Sequence, residues 1–137
     1  MIETNIDDCS SEILAYTFEK LLSAGAADVF FTPIYMKKNR PAVKLSVLCK
    51  EELTDVLADI IFAETSTIGV RIREERRIVL SRKASVIVTR YGELKIKETE
   101  INGEKKIMPE YEDAKLLAEK NGVALYKIYE SVREIND

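Results

Sequence analysis

The chain contains no histidine. That absence removes the commonest general base and the commonest transition-metal ligand, so no Ser-His-Asp or Cys-His arrangement and no imidazole metal site is available. Only two cysteines, Cys9 and Cys49, occur among 137 residues. Two are too few for a disulfide framework or a thiolate zinc site, and they read as small, half-buried thiols in a reducing compartment. No apolar run approaches the ~20 residues of a membrane span. The opening Met1-Ile2-Glu3-Thr4 lacks the basic and apolar regions of a secretory signal. A cytoplasmic location without membrane attachment is therefore expected. No Walker loop, dinucleotide fingerprint, repeat or low-complexity tract is present.

What is there is the composition of an ordinary soluble domain, 46% hydrophobic and 33% charged, with a net charge of -3. The charges are unevenly spread. Lys37, Lys38, Arg40 and Lys44 form one basic group, and Arg71, Arg73, Arg76, Arg77, Arg82 and Lys83 form a second. Two basic groups in an acidic chain suggest a local polyanion site rather than a nucleic-acid surface. Solvated strand and loop charge is the alternative.

Hydrophobic periodicity gives alternating elements. Glu3 to Asp7 is a short strand, followed by N-cap candidates Asp8, Ser10 and Ser11. A helix follows with Leu14, Phe18, Leu21 and Leu22 on one face, ended by Gly25. Asp28 to Met36 reads as a strand that Pro33 confines to a sheet edge or a bulge. Lys37 to Ala42 is a turn in which Asn39 can turn left-handed. Val43, Leu45 and Val47 alternate as a strand, and Leu53, Val56, Leu57, Ile60 and Ile61 carry a second helix. A long strand is expected from Ile68 to about Leu80. This order, βαββαβ, is the ferredoxin-like unit, whose second and fourth strands lie at the edges.

The expected fold class is thus α+β: a ferredoxin-like domain over residues 1–81 and a small ββαα module over residues 82–137. In the second part, Ala84 to Thr89 and Glu93 to Lys97 form a hairpin around Arg90-Tyr91-Gly92, and Asn102-Gly103 marks a turn. Pro109 opens a helix that Asn121-Gly122 closes, and Leu125, Ile128, Tyr129 and Val132 define a last amphipathic helix.

Three segments could carry chemistry. In Thr4-Asn5-Ile6-Asp7-Asp8 a strand ends in two adjacent carboxylates, oxygen ligands of the kind hard divalent cations take. A helix cap at Asp8 and a solvated Asp7 is the alternative. Met36-Lys37-Lys38-Asn39-Arg40-Pro41 would aim several phosphate donors at one place, or form a charged hairpin turn. In Glu64-Thr65-Ser66-Thr67-Ile68-Gly69-Val70-Arg71, hydroxyls and amides near a glycine can line a phosphate or ribose site, or cap a helix.

Taken in order, TNIDD (Thr4 to Asp8), GAADVFFTPIYMKKNRP (Gly25 to Pro41), ETSTIGVR (Glu64 to Arg71), ER-x-x-L-x-R (Glu75 to Arg82), TRYGELKIK (Thr89 to Lys97) and PEYEDAKLLA (Pro109 to Ala118) resemble the LarC family over about nine-tenths of the chain. These are nickel-insertion proteins that complete the nickel-pincer cofactor of lactate racemase. The resemblance is to the C-terminal half only. It implies an enzyme, a CTP-dependent cyclometallase of the lyase type, that inserts Ni2+ into a pyridinium bis-thiocarboxylate mononucleotide with Mn2+ or Mg2+ present. CTP would bind the C-terminal domain, and an N-terminal domain or separate chain would complete the protein.

Residue by residue, the resemblance makes Asp7 and Asp8 candidates for the divalent cation, and Lys37, Lys38 and Arg40 for the triphosphate. Thr65, Thr67 and Arg71 would finish the nucleotide pocket with Glu64 nearby; no catalytic residue is assigned. The chain departs from the family at Asn39, where glycine is usual, and at Cys9, where methionine is usual. Cys9 is therefore not assigned to nickel. Assembly into a homo-oligomer is expected, and no nucleic-acid partner. Two other readings stay open: a regulatory nucleotide-binding module without catalysis, and an oligomerisation domain that pairs through the edge strand at Asp28 to Met36.

Overall fold

The computed structural model describes residues 1–136. They fold into two compact units, Met1–Arg76 and the remainder from Arg77. In the first, strand β1 (Ile2–Ile6) leads to helix α1 (Ser11–Ser23), strand β2 (Asp28–Met36), strand β3 (Arg40–Leu48), helix α2 (Thr54–Glu64) and strand β4 (Arg71–Ile72). The sheet order is β2-β3-β1-β4, so the second and fourth strands are the edges, as the ferredoxin-like reading requires.

Local chemistry explains these elements. The Ser10 hydroxyl accepts the Ile13 amide at 3.3 Å and caps α1. Gly25 adopts φ +99°, a conformation other residues resist, and a side chain there would also press on Leu53. Pro33 sits on the outer strand β2, which pairs only with β3. It costs no ladder bond there. Leu14 and Leu21 of α1 and Leu57 and Ile61 of α2 bury against Ile2, Ile6, Val29, Leu45 and Val47. Phe18 adds a ring contact to Phe31 at 6.2 Å between centroids.

Three expectations need correction here. Thr17 is fully buried in place of Leu22, because its hydroxyl is satisfied by the Ile13 carbonyl at 2.8 Å. Leu22 and Val56 are exposed. The long strand expected from Ile68 to Leu80 shrinks to Arg71–Ile72, since only Ile2 and Glu3 of β1 stand opposite it. Ile68, Ile72, Ile78, Val79 and Leu80 are all exposed, and of the expected inward face only Val70 packs on the core. Strand-like alternation cannot create a strand without a ladder partner.

The second unit is a three-stranded antiparallel sheet, β5 (Arg82–Thr89), β6 (Gly92–Ile101) and β7 (Glu104–Pro109), followed by helices α3 (Tyr111–Asn121) and α4 (Leu125–Asn136). The expected hairpin therefore carries a third strand, turned at Asn102-Gly103, where both residues have positive φ. Pro109 ends β7 rather than opening α3. Leu94 and Ile96, two apart on β6, bury against Ala114, Leu117 and Ala118 of α3 and Ile128 and Val132 of α4. No helix among the described residues is long and apolar enough to cross a membrane.

Glu3 is the most costly side chain in the first sheet. It is only 6% exposed. Lys44 approaches at 3.0 Å, Arg73 at 2.7 Å, and the Ser46 hydroxyl donates at 3.1 Å. Chiefly the Lys44 contact, with Arg73 and Ser46 adding to it and burial opposing, lowers its pKa from 4.5 to about 2. A lowered carboxylate pKa stabilises the fold above the unfolded-state value and loses that stabilisation as pH falls. Glu3→Gln should cost on the order of 2–3 kcal/mol at pH 7. Denaturant titrations of both proteins should show the gap closing as pH falls from about 4.5 to about 2.

Candidate functional site

The three sequence segments meet at one end of β1. Asp7, just past the strand, receives Arg40 Nη1 on Oδ2 at 3.2 Å, which ties the strand end to the β2–β3 hairpin. Asn5 Oδ1 accepts Arg71 Nη2 at 2.7 Å, and the Thr4 hydroxyl lies 2.6 Å from that of Thr67, which ties β1 to the segment after α2. Ser66 donates to Asp8 and lies 3.3 Å from Cys9 Sγ.

An open cleft of about 580 Å³ lies at this end, lined by Asn5, Asp7, Tyr35, Met36, Lys37, Lys38 and Arg40. Its polar side is the turn between β2 and β3. Lys38 and Asn39 both adopt left-handed backbone angles, φ 60° and 58°. Asn39 was expected to do so; Lys38 was not, because its side chain gives no signal for it. The two successive left-handed residues reverse the chain within Lys37–Asn39 and leave three cationic side chains at one tip. Met36 and Tyr35 add apolar surface beside them.

Asp7, Lys37, Lys38 and Arg40 thus share the cleft. Arg71 reaches it through Asn5 rather than lining it. Glu64, Thr65, Thr67 and Asp8 lie outside its lining. Glu64 pairs with Lys20 at 2.6 Å, which raises the Lys20 pKa and joins α2 to α1. The Thr65 hydroxyl donates to the Ile61 carbonyl at 2.7 Å and closes α2. Thr67 donates to the Gly69 carbonyl at 3.1 Å and holds the loop. Asn5, Tyr35 and Met36 are the lining residues that sequence reasoning did not single out. Asn5 lay inside the first motif, but nothing in the sequence separated it from its neighbours.

No three His, Cys, Asp or Glu side chains gather as a metal site among the described residues. A Mg2+ or Mn2+ ion carried on a polyphosphate needs only one or two protein carboxylates, the rest of its shell being water and phosphate oxygen. Asp7 meets that requirement in the cleft; Asp8 is held by Ser66.

The first unit is thus a ferredoxin-like sheet with a cationic hairpin beside a strand-end carboxylate. Residues 1–129 match the family model described as nickel insertion protein, and the chain belongs to that family. Its counterpart within the family is the C-terminal domain. LarC2, the C-terminal domain of a cyclometallase involved in the synthesis of the NPN cofactor of lactate racemase, superposes with a TM-score of 0.90 at 42% identity, over 96% of this chain and 91% of that one. A Methanopyrus kandleri protein shares the fold, with a TM-score of 0.66 at 21% identity.

Among curated relatives, the pyridinium-3,5-bisthiocarboxylic acid mononucleotide nickel insertion protein of Alkaliphilus metalliredigens is 47% identical over 98% of this chain and 32% of its own length. That of Acetivibrio thermocellus is 45% identical over 98% of this chain and 33% of its own. The chain spans about a third of the length of the curated relatives it matches.

The turn makes a test of its own. Asn39→Gly should leave stability equal or slightly raised, whereas Asn39→Val should lower it by about 1–2 kcal/mol, because a β-branched residue resists φ 58°. Thermal denaturation of the two variants checks the order.

Proposed function

We propose that this chain is the CTP-binding domain of a nickel-insertion enzyme, a cyclometallase that completes the nickel-pincer cofactor of lactate racemase. The observation that carries the reading is the convergence on one strand end of Asp7, the Lys37-Lys38-Arg40 turn and Arg71 of β4, three segments far apart in sequence. A triphosphate needs several cationic donors in one place, and the hairpin tip supplies them. Lys37 and Lys38 act as mobile point charges; Arg40, released from Asp7, offers a planar fork to phosphate oxygens.

Asp7 then becomes free to face the divalent cation that travels with the nucleotide. Bound there, Mn2+ or Mg2+ would supply charge neutralisation on the phosphates. Asp8, Thr65 and Thr67 support the site by fixing the loop after α2, and Glu64 by joining α2 to α1. In the whole enzyme, a thiocarboxylate of the pyridinium mononucleotide attacks the α-phosphorus of CTP, the bond to the β-phosphate breaks, and pyrophosphate leaves. The cations of the turn stabilise the charge that gathers on the departing phosphates. Ni2+ is a substrate of the full-length protein. With no histidine in this chain, the remainder of the protein takes up the nickel, in the cytoplasm.

Calorimetric titration with CTP, with and without Mn2+, tests the reading, with ATP, GTP and UTP as controls. Binding should require the cation and favour CTP. Lys37→Ala and Asp7→Ala should each weaken it by about tenfold, or ~1.4 kcal/mol. Absence of any nucleotide binding at millimolar concentration would remove the assignment from this domain.

A further inference from the structure

We propose that strand β5 is a self-docking edge. Two copies of this chain pair there, antiparallel about a twofold axis, and join their second units into one continuous sheet. The edge of any sheet presents unpaired backbone N–H and C=O groups, and proteins blunt such edges with proline, charge or shortness. The other edges of this chain are blunted. β2 carries Pro33 in mid-strand, and β4 is only Arg71 and Ile72. β7 holds Glu104, Lys105, Lys106 and a closing Pro109.

β5 has none of these protections at its centre. Among the described residues its one ladder partner is β6, so its other side is open. From Ala84 to Thr89 it runs without charge, proline or glycine, and it is rich in β-branched residues. Alternation turns Ile87 toward the core of the second unit and leaves Val86 57% and Val88 74% exposed on the opposite face.

Such a strand suits its own copy. A twofold contact needs a patch that complements itself, and an antiparallel pair of identical strands does so. For outer-face side chains to meet outer-face side chains, the axis must pass through a residue. Passing through Val86, it would set Arg82 against Arg90. Passing through Ser85, it would set Arg82 against Val88 and Lys83 against Ile87. Passing through Ile87, it sets Ser85 against Thr89 and Val86 against Val88, with no charge among them. Arg90, just beyond, already pairs with Glu134 at 3.5 Å. The register centred on Ile87 therefore covers both exposed valines and completes the backbone bonds of the edge.

The test is sedimentation of the whole chain through the micromolar range, with circular dichroism and thermal denaturation as controls for folding. Val86→Lys with Val88→Lys sets like charges against each other twice across the axis and should halve the mass of the assembly. Val86→Glu with Val88→Lys sets opposite charges there and should keep it. Both positions are exposed, so both double variants should fold as the unmodified protein does. Hydrogen exchange needs no variant: β5 amides that face away from β6 should be protected at high concentration and exchange freely on dilution.

A chain that stays monomeric at every concentration overturns the proposal. So does an assembly that the double lysine leaves intact, which would put the contact on another surface. Dissociation by both double variants alike also overturns it, because pairing centred on Ile87 requires the second to hold.

Discussion

Glu3 is an ionised carboxylate inside a β-sheet, and it is tolerated there because Lys44, Arg73 and Ser46 compensate it together. The same device repeats along the strand. Side chains of a strand alternate between faces, so residues 3, 5 and 7 of this segment follow one another on one side. Glu3 takes Arg73 and Lys44, Asn5 takes Arg71, and Asp7 takes Arg40. The cations come from two segments, Arg40 and Lys44 of β3 and the stretch Arg71 to Arg73. The even positions do the opposite work: Ile2 and Ile6 enter the core under the helices, and Thr4 fastens the loop after α2.

One central strand thereby holds both the fold and the site. β1 lies between β3 and β4, and its polar stripe runs from a buried end at Glu3 to an open end at Asp7. Toward the buried end the ion pairs are structural, because separating them would strand a charge away from water. Toward the open end Arg40 and Asp7 pair where solvent reaches, so the cost of separating them is small.

The hairpin depends on a second constraint. An edge strand tolerates Pro33, and a turn with two left-handed residues tolerates the strain of Lys38 because the flanking β2–β3 ladder is long. Rigid strands then present mobile cations. The chain matches LarC2 over nearly its whole length and spans about a third of the curated relatives. The second unit has its own apolar core and its own ion pairs, Lys95 with Asp113 and Lys97 with Glu110.

Much of this was legible in the residues. Periodicity located α1, α2, α4 and the first three strands; Pro33 located an edge; Asn102-Gly103 located a turn. Those are local properties, dictated by sterics and by which face must leave water. The third strand of the second unit was not legible, because half of Glu104 to Pro109 is charged and the segment gains its order from pairing with β6. The long strand expected from Ile68 was overread for the converse reason: beyond Arg71 and Ile72, which pair with β1, no strand stands beside it. The candidate residues were visible as motifs. Only the tertiary structure decided that Asp7 and the lysine turn share a cleft, that Glu64 pairs with Lys20, that Thr65 and Thr67 hold the end of α2 and the loop after it, and that Arg71 bonds to Asn5. Hydrogen bonds between residues more than sixty positions apart depend on sheet order and register, which chain spacing does not encode.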